Sequence, residues 1–237
     1  MTFTIIGRCD RTGRLGFAQA TGTPAIGQRA VRVIPGKAVV TVQAGHNGYL
    51  LSIAMELTRA GFGGKRIFDA LQAADPYSAQ RQLMFLPLKG PGMAFTGTQA
   101  RPWAGHLESD DFVAAGNVLA GAGVVGAMAD AFRGTADQAL EDRLLRALEA
   151  GRDAGGQADG ERSAALYVAG DAPYPLIDLR VDVAQEPTGE LRKAYDWYRP
   201  LSPFYAECYE KGIPAKYKDH LRSIGWAVSP YEDAKRT

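Results

Sequence analysis

Thr2-Phe3-Thr4-Ile5-Ile6-Gly7-Arg8 and, a few residues on, Arg14-Leu15-Gly16-Phe17-Ala18-Gln19-Ala20-Thr21 are the stretches whose reading decides the fold. Both are rich in β-branched and apolar residues. They are separated by Asp10-Arg11-Thr12-Gly13, a polar segment closed by glycine, so residues 2–8 and 14–21 read as the arms of a hairpin. The first arm begins directly after Met1, and aminopeptidases remove an initiator Met when the next residue is small. Thr2 is therefore expected at the mature N-terminus. A threonine there carries nucleophile and base together: its hydroxyl can attack a carbonyl, and its α-amine, with a reference pKa of about 7.7–8.0, can take the proton. Met-Thr alone is a common chain start, so the weight falls on what surrounds it.

The 237 residues suffice for one large domain, or one domain with an appendage. With 46% hydrophobic and 22% charged residues, the chain has an ordinary globular composition rather than a disordered or fibrous one. Lys and Arg number 27 against 26 Asp and Glu, which leaves no net field to favour nucleic acid or an anionic membrane. Cys9 and Cys208, the two cysteines, offer no disulfide framework and no zinc-ligand spacing, and they suit a reducing compartment. Arg8 and Asp10 interrupt the apolar stretch at the N-terminus, which therefore lacks the pattern of a signal peptide, and no apolar run has the length of a membrane span. A cytoplasmic protein is expected.

Beyond the first hairpin, Val31–Ile34 and Ala38–Ala44 read as a second one across Pro35-Gly36-Lys37. Gly45-His46-Asn47-Gly48 then leads into an amphipathic helix over residues 49–60, and another helix spans 65–73. Strands are expected at Gln82–Leu88, Met93–Thr96 and Phe112–Ala115. Gly116-Asn117 turns the chain into a helix over 119–132, Thr135 caps a further helix to about Ala150, and Gly151–Gly160 is a loop. Ser163–Ala169 and Leu176–Val181 return to strand. The order ββββ-αα-βββ-αα-ββ groups strands with strands and helices with helices, which points to an α+β fold rather than to βαβ units. Residues 187–237 form a separate C-terminal helical arm. Its residues Tyr195, Trp197, Tyr198, Phe204, Tyr205, Tyr209, Tyr217 and Trp226 alternate with charges of both signs, a pattern suited to an interface and, in a single-chain species, to a homo-oligomer.

Gly121-Ala122-Gly123-Val124-Val125-Gly126 matches the dinucleotide-binding pattern in letters, but no strand follows it to carry the ribose-binding acid. Small residues permitting close helix packing are the simpler reading. Gly61-Phe62-Gly63-Gly64-Lys65-Arg66 lacks the leading glycine and the hydroxyl residue of a phosphate loop. His46, His106 and His220 are far apart in sequence, so no metal site is expected. The run Val39–Gly48 is more informative. A buried strand enters glycines and then a helix, which leaves backbone N–H groups free to hold an oxyanion. His46 sits in that turn, and His106 follows Trp103-Ala104-Gly105, a turn able to wall a pocket.

Taken together, Thr2 at the head of a strand, Gly16–Thr21 as its small-residue partner and Val39–Gly45 ending in a glycine before a helix resemble the N-terminal nucleophile hydrolases, in particular the proteasome-like branch. The chain is more closely similar to the family called domain of unknown function 1028. The likeness rests on Thr2-Phe3-Thr4-Ile5-Ile6, Thr12-Gly13-Arg14-Leu15-Gly16, Thr41-Val42-Gln43-Ala44, Phe95-Thr96-Gly97, Trp103-Ala104-Gly105-His106, Gly116–Gly121, Arg162–Leu166 and Asp178–Asp182. It covers residues 2–182 and leaves the arm uncovered.

The resemblance implies a four-layer αββα sandwich over residues 1–186 and hydrolysis of an amide bond in a small, amino-acid-derived substrate. Thr2 is the implied nucleophile, the Gly45 N–H with Asn47 or Asn117 the implied oxyanion site, and Gln43, His46, Trp103 and His106 the implied pocket residues. No cofactor and no metal are implied. Two departures from the class stand out: no Asp or Glu occurs between Asp10 and Glu56, and the first lysine is Lys37, in a turn. The usual acid–lysine helpers are thus missing. Thr4 stands where relatives carry Ser, on the same strand face as Thr2, and competes with it as nucleophile. A non-catalytic member of the fold that binds a small molecule or a partner stays open, as does, more remotely, a nucleotide-binding oxidoreductase using Gly121–Gly126.

Overall fold

The computed structural model describes residues 1–212 and 216–227. By internal contacts the chain divides into two units, Met1–Arg192 and Lys193–Thr237. The first unit contains two antiparallel sheets. One has six strands in the order β10-β9-β2-β1-β8-β7: Pro175–Val181, Ser163–Ala169, Arg14–Thr21, Thr2–Cys9, Phe112–Asn117 and Gly105–Glu108. The other has four in the order β3-β4-β5-β6: Val31–Ile34, Ala38–Gln43, Gln82–Pro87 and Met93–Thr96. Four helices belong with them: α1 (Gly48–Arg59), α2 (Gly64–Ala74), α3 (Gly123–Arg133) and α4 (Leu140–Asp153). The fold is α+β, and strand β1 lies between β2 and β8.

Alternation along the strands decides what each face buries. Ile6 of β1, Leu15 and Phe17 of β2, Val113 of β8, Val39 of β4, and Met84 and Leu86 of β5 form one apolar cluster between the sheets. Val40, Val42, Leu83 and Phe85 point the other way and pack with Leu50, Leu51, Ala54, Ile67 and Leu71 of α1 and α2. On the outer side of the six-stranded sheet, helices come so close to β1 that a Cβ on Gly7 would sit 2.8 Å from the Phe132 ring of α3, an approach only glycine permits. Phe132 stacks in turn under the Arg143 guanidinium of α4, 3.8 Å from the ring centre.

The same alternation makes one end of the inter-sheet space polar. Two residues along from Ile6, Thr4 pairs with Gln19 and Ala115; two further, Thr2 pairs with Thr21 and Asn117, and Thr21 pairs with Ser163. Opposite them, Gln43, Gln82 and Thr96 form a rung across β4, β5 and β6. Thr4, Gln19, Gln43, Gln82, Asn117 and Ser163 are all buried. Buried polar side chains need partners, and this concentration of them sets this end of the inter-sheet space apart from the apolar remainder.

Several expected boundaries shift for local reasons. β7 is an added strand: it has four residues at a sheet edge, too short and too exposed to show an apolar alternation. The expected turn at Gly116-Asn117 is still strand, since β8 runs to Asn117; the chain turns at Val118, with φ of 56°, and α3 begins at Gly123 rather than at residue 119. Thr135 does not cap α4. Its hydroxyl donates back to the Ala131 carbonyl at 2.9 Å and closes α3, while α4 starts after Ala139 without a side-chain cap. The expected loop at Gly151 is helix as far as Asp153, with Gly151 against Met128. The glycines of Gly121–Gly126 do not serve close packing either, because a Cβ on Gly121, Gly123 or Gly126 would meet nothing within 4 Å.

In the second unit, α6 (Ser202–Lys211) and α7 (Tyr217–Ser223) carry an aromatic cluster together with the C-terminal end of α5 (Pro187–Tyr198). Phe204 stacks on His220 at 4.6 Å, Tyr198 on Tyr205 at 5.8 Å, and Trp197 meets Trp226 edge-on at 5.0 Å. Burial and two neighbouring tyrosines push the Tyr198 hydroxyl up to about 12. Among the described residues no helix is long and apolar enough to cross a membrane.

Candidate functional site

A cavity of about 240 Å³ opens at the polar end of the sheets. Thr2, Thr21, Gln43, Gly45 and His46 line it, with Met1 and Arg29. Thr2 and Thr21 are neighbours across the β1–β2 ladder, and their hydroxyl oxygens lie 3.2 Å apart. Thr2 also donates to the Met1 carbonyl at 2.6 Å, and Thr21 donates to that same oxygen. Both hydroxyls thus hold the carbonyl of the bond that joins Met1 to Thr2. Burial and then Arg101 pull the Met1 amine below its ordinary value, while Asp159 opposes them. The fold therefore brings an acid and a guanidinium near the chain start from loops remote in sequence.

Beneath the cavity runs a hydrogen-bonded relay. The Thr4 hydroxyl donates to Gln43 Oε1 at 2.9 Å, and Gln43 Nε2 donates to Gln82 Oε1 at 2.8 Å. Asn117 Nδ2 donates to the same Gln82 oxygen at 3.2 Å and reaches the Thr2 carbonyl at 3.5 Å. Gln82 Nε2 lies within 3.0 Å of Thr96 Oγ1 and of the Gly105 and Gly116 carbonyls. Thr96 is 2.8 Å from His106 Nδ1. Every step links one sheet to the other or one strand to its neighbour, so the relay fixes how the sheets face each other at the site.

The turn after β4 is built to a definite shape. Ala44 and Gly45 have φ of 59° and 91°, both in the left-handed region. The Arg81 guanidinium donates to the Gly45 carbonyl and to Asp75 Oδ2, the latter at 2.7 Å. This pairing holds the Asp75 carboxyl below its ordinary range, against the upward pull of its burial. Asn47 caps α1: its side-chain oxygen accepts from Tyr49 N at 3.0 Å and Leu50 N at 3.3 Å. Burial, then Arg29, Arg32 and Arg81, hold the His46 imidazole below its ordinary value.

The expected residues thus separate into groups. Thr2, Gln43, Gly45 and His46 share the cavity wall. Thr4 is 0% exposed, against 7% for Thr2, and its hydroxyl donates to Gln43. Asn117 is 1% exposed with its amide committed to Gln82, and Asn47 is committed to its helix. Trp103 and His106 do not line the cavity; His106 joins the relay through Thr96, and the Trp103 ring lies over Gly105. Sequence reasoning missed Gln82, Thr21, Thr96 and Arg81. Of these, Gln82 carried a signal, being a polar residue in register with inward-facing Met84 and Leu86.

The model of the family of unknown function DUF1028 matches residues 2–191. The chain belongs to this family. A DUF1028 protein from Silicibacter pomeroyi, known from its crystal structure, is 31% identical over 83% of this chain and 85% of its own, with a TM-score of 0.76. HslV from Trypanosoma brucei is 13% identical over 72% of this chain and 99% of its own, with a TM-score of 0.44. Anbu, an ancestral beta-subunit from Yersinia bercovieri, is 12% identical over 90% and 98%, also with a TM-score of 0.44. Neither of these two distant likenesses bears on what this DUF1028 chain does. Comparison with curated proteins finds no match.

Proposed function

We propose that this DUF1028 protein is an N-terminal nucleophile amidohydrolase of four-layer αββα architecture that uses Thr2 to cleave an amide bond in a small substrate. The observation that carries the reading is the placement of the Thr2 hydroxyl on the cavity wall, at the head of a strand flanked on both sides, while the Thr4 hydroxyl is sealed beneath. Once Met1 is removed, the Thr2 α-amine becomes the base. Its nitrogen takes the hydroxyl proton as Oγ1 attacks the substrate carbonyl, then passes it to the departing amine. The acyl group stays on Oγ1 as an ester until water, activated by the same amine, releases it as a carboxylic acid. The Gly45 N–H, in a turn pinned by Arg81, is the oxyanion donor in this account. Asn117 and Thr4 act as positioning residues through Gln82 and Gln43. A homo-oligomer in the cytoplasm, with residues 187–237 as an interface arm, belongs to the same proposal.

A non-catalytic binding protein is the second reading, and one observation favours it: Met1 holds both hydroxyls through its carbonyl, so in a chain that keeps Met1 the Thr2 nitrogen is an amide rather than a base and its hydroxyl is engaged. Intact mass separates the two. A chain starting at Thr2, with amidase turnover lost in Thr2→Ala and retained in Thr2→Ser, supports the enzyme; a chain that retains Met1 supports the binder.

A further inference from the structure

The cavity has a basic lining, with the Asp159 carboxylate acting on the Met1 amine at its edge. Its wall includes Arg29 and His46 and no carboxylate. The Arg29 guanidinium donates to the Pro24 carbonyl at 3.3 Å, and the half-buried Arg32 donates to the carbonyl of Val31 at 2.9 Å. Among the described residues neither forms an ion pair, whereas Arg81, the third guanidinium acting on His46, is neutralised by Asp75 at 2.7 Å. Arg29 is exposed at the cavity wall, so its guanidinium is open to a ligand, and arginine is the side chain suited to pairing with a carboxylate. At about 240 Å³ the space is below the range of about 300–1,000 Å³ for drug-sized ligands, so it suits a compact molecule rather than a peptide segment.

We infer that the cavity takes the carboxylate of a small N-acyl amino acid, with Arg29 as its pairing residue and His46 completing the anion subsite beside Thr2. This rests on the amidohydrolase reading for its choice of an amide, but the anion subsite stands on its own charges. Cleavage then breaks the C–N bond of the acyl amide. The acyl carbon passes first to Thr2 Oγ1 and then to water, and the free amino acid leaves with the proton delivered by the Thr2 amine.

The test separates subsite from chemistry. Binding of N-acetylglycine and of N-acetylglycinamide is measured by calorimetry on the Thr2→Ala protein, whose turnover is assayed alongside. The acid is expected to bind more tightly by about tenfold. That preference should vanish when Arg29→Gln is added and survive in part with Arg29→Lys, and unchanged urea midpoints should show that both variants fold. Equal binding of acid and amide, no binding of the acid, or a preference indifferent to Arg29→Gln overturns the inference, as does inorganic phosphate binding more tightly than the acid. If the acid preference holds while Thr2→Ala keeps wild-type amidase turnover, the subsite stands and the nucleophile reading falls.

Discussion

The hydroxyl of Thr2 lies 3.2 Å from that of Thr21, directly across the β1–β2 ladder, and both donate to the Met1 carbonyl. On the proposed amidohydrolase reading Met1 leaves, both lose that acceptor, and Thr2 gains an amine in its place, with Thr21 the hydroxyl across the ladder from it. Thr21→Val is expected to lower kcat with little change in KM, since it removes an interaction with the attacking oxygen rather than with bound substrate. Steady-state kinetics on any amide that the wild type hydrolyses reads this directly.

Thr4→Val tests whether the competing threonine is chemical or structural. The substitution keeps shape but leaves Gln43 Oε1 without its donor, so a stability loss of about 1–3 kcal/mol is expected in urea unfolding. Turnover should stay within about tenfold of wild type. Complete loss of activity in a folded Thr4→Val protein would move the nucleophile to Thr4.

Gln82 joins more partners than any other residue of the relay. Gln82→Leu removes the acceptor of Gln43 and Asn117 and the donor to Thr96, Gly105 and Gly116 at once. A loss of about 3 kcal/mol or more is expected, because several buried polar atoms are orphaned together. The midpoint of urea denaturation measures it.

Asp75 gives the site a pH dependence with a definite sign. Its folded pKa is depressed, chiefly by the hydrogen bond from Arg81. The stabilisation it contributes is therefore fully present above its unfolded value, about 3.9, and is lost as pH falls through the lower folded value. Asp75→Asn should flatten the acid limb of the stability curve and loosen the Gly45 turn. Thermal unfolding from pH 6 down to pH 3, as a rough range, reads both proteins side by side.

His46 reports the local field. Arg29, Arg32 and Arg81 each oppose its protonation, so Arg29→Gln should raise the His46 pKa, and a bound carboxylate should raise it further. Proton NMR titration, with His46→Gln to assign the resonance, distinguishes this from a subsite in which Arg29 plays no part.

Much of the frame was legible in the sequence because it rests on alternation and punctuation. The first hairpin, with its glycine turn, and the strands Met93–Thr96 and Ser163–Ala169 read out as they fold. Thr2, Gln43 and Gly45 could be placed near one another by the order of strands and by the family likeness. The site's support was harder to see. Gln82, Thr96 and Thr21 matter through hydrogen bonds across sheets and ladders, between residues whose proximity no local pattern encodes. Asn47 shows the opposite case: a polar residue in a promising turn proved to be a helix cap, which the N-terminal position of α1 alone accounts for. Asp159 and Arg101, near the chain start in space, are more than a hundred and about a hundred residues away in sequence.

The central claim is that Thr2, freed of Met1, is the residue that becomes acylated. Incubation with a β-lactone that acylates N-terminal threonine, followed by intact mass and peptide mapping, tests it most directly. One acyl group on Oγ1 of a chain beginning at Thr2, absent in Thr2→Ala, is the predicted result. Acylation at another residue, or an active protein that retains Met1 and takes up no label, would contradict it.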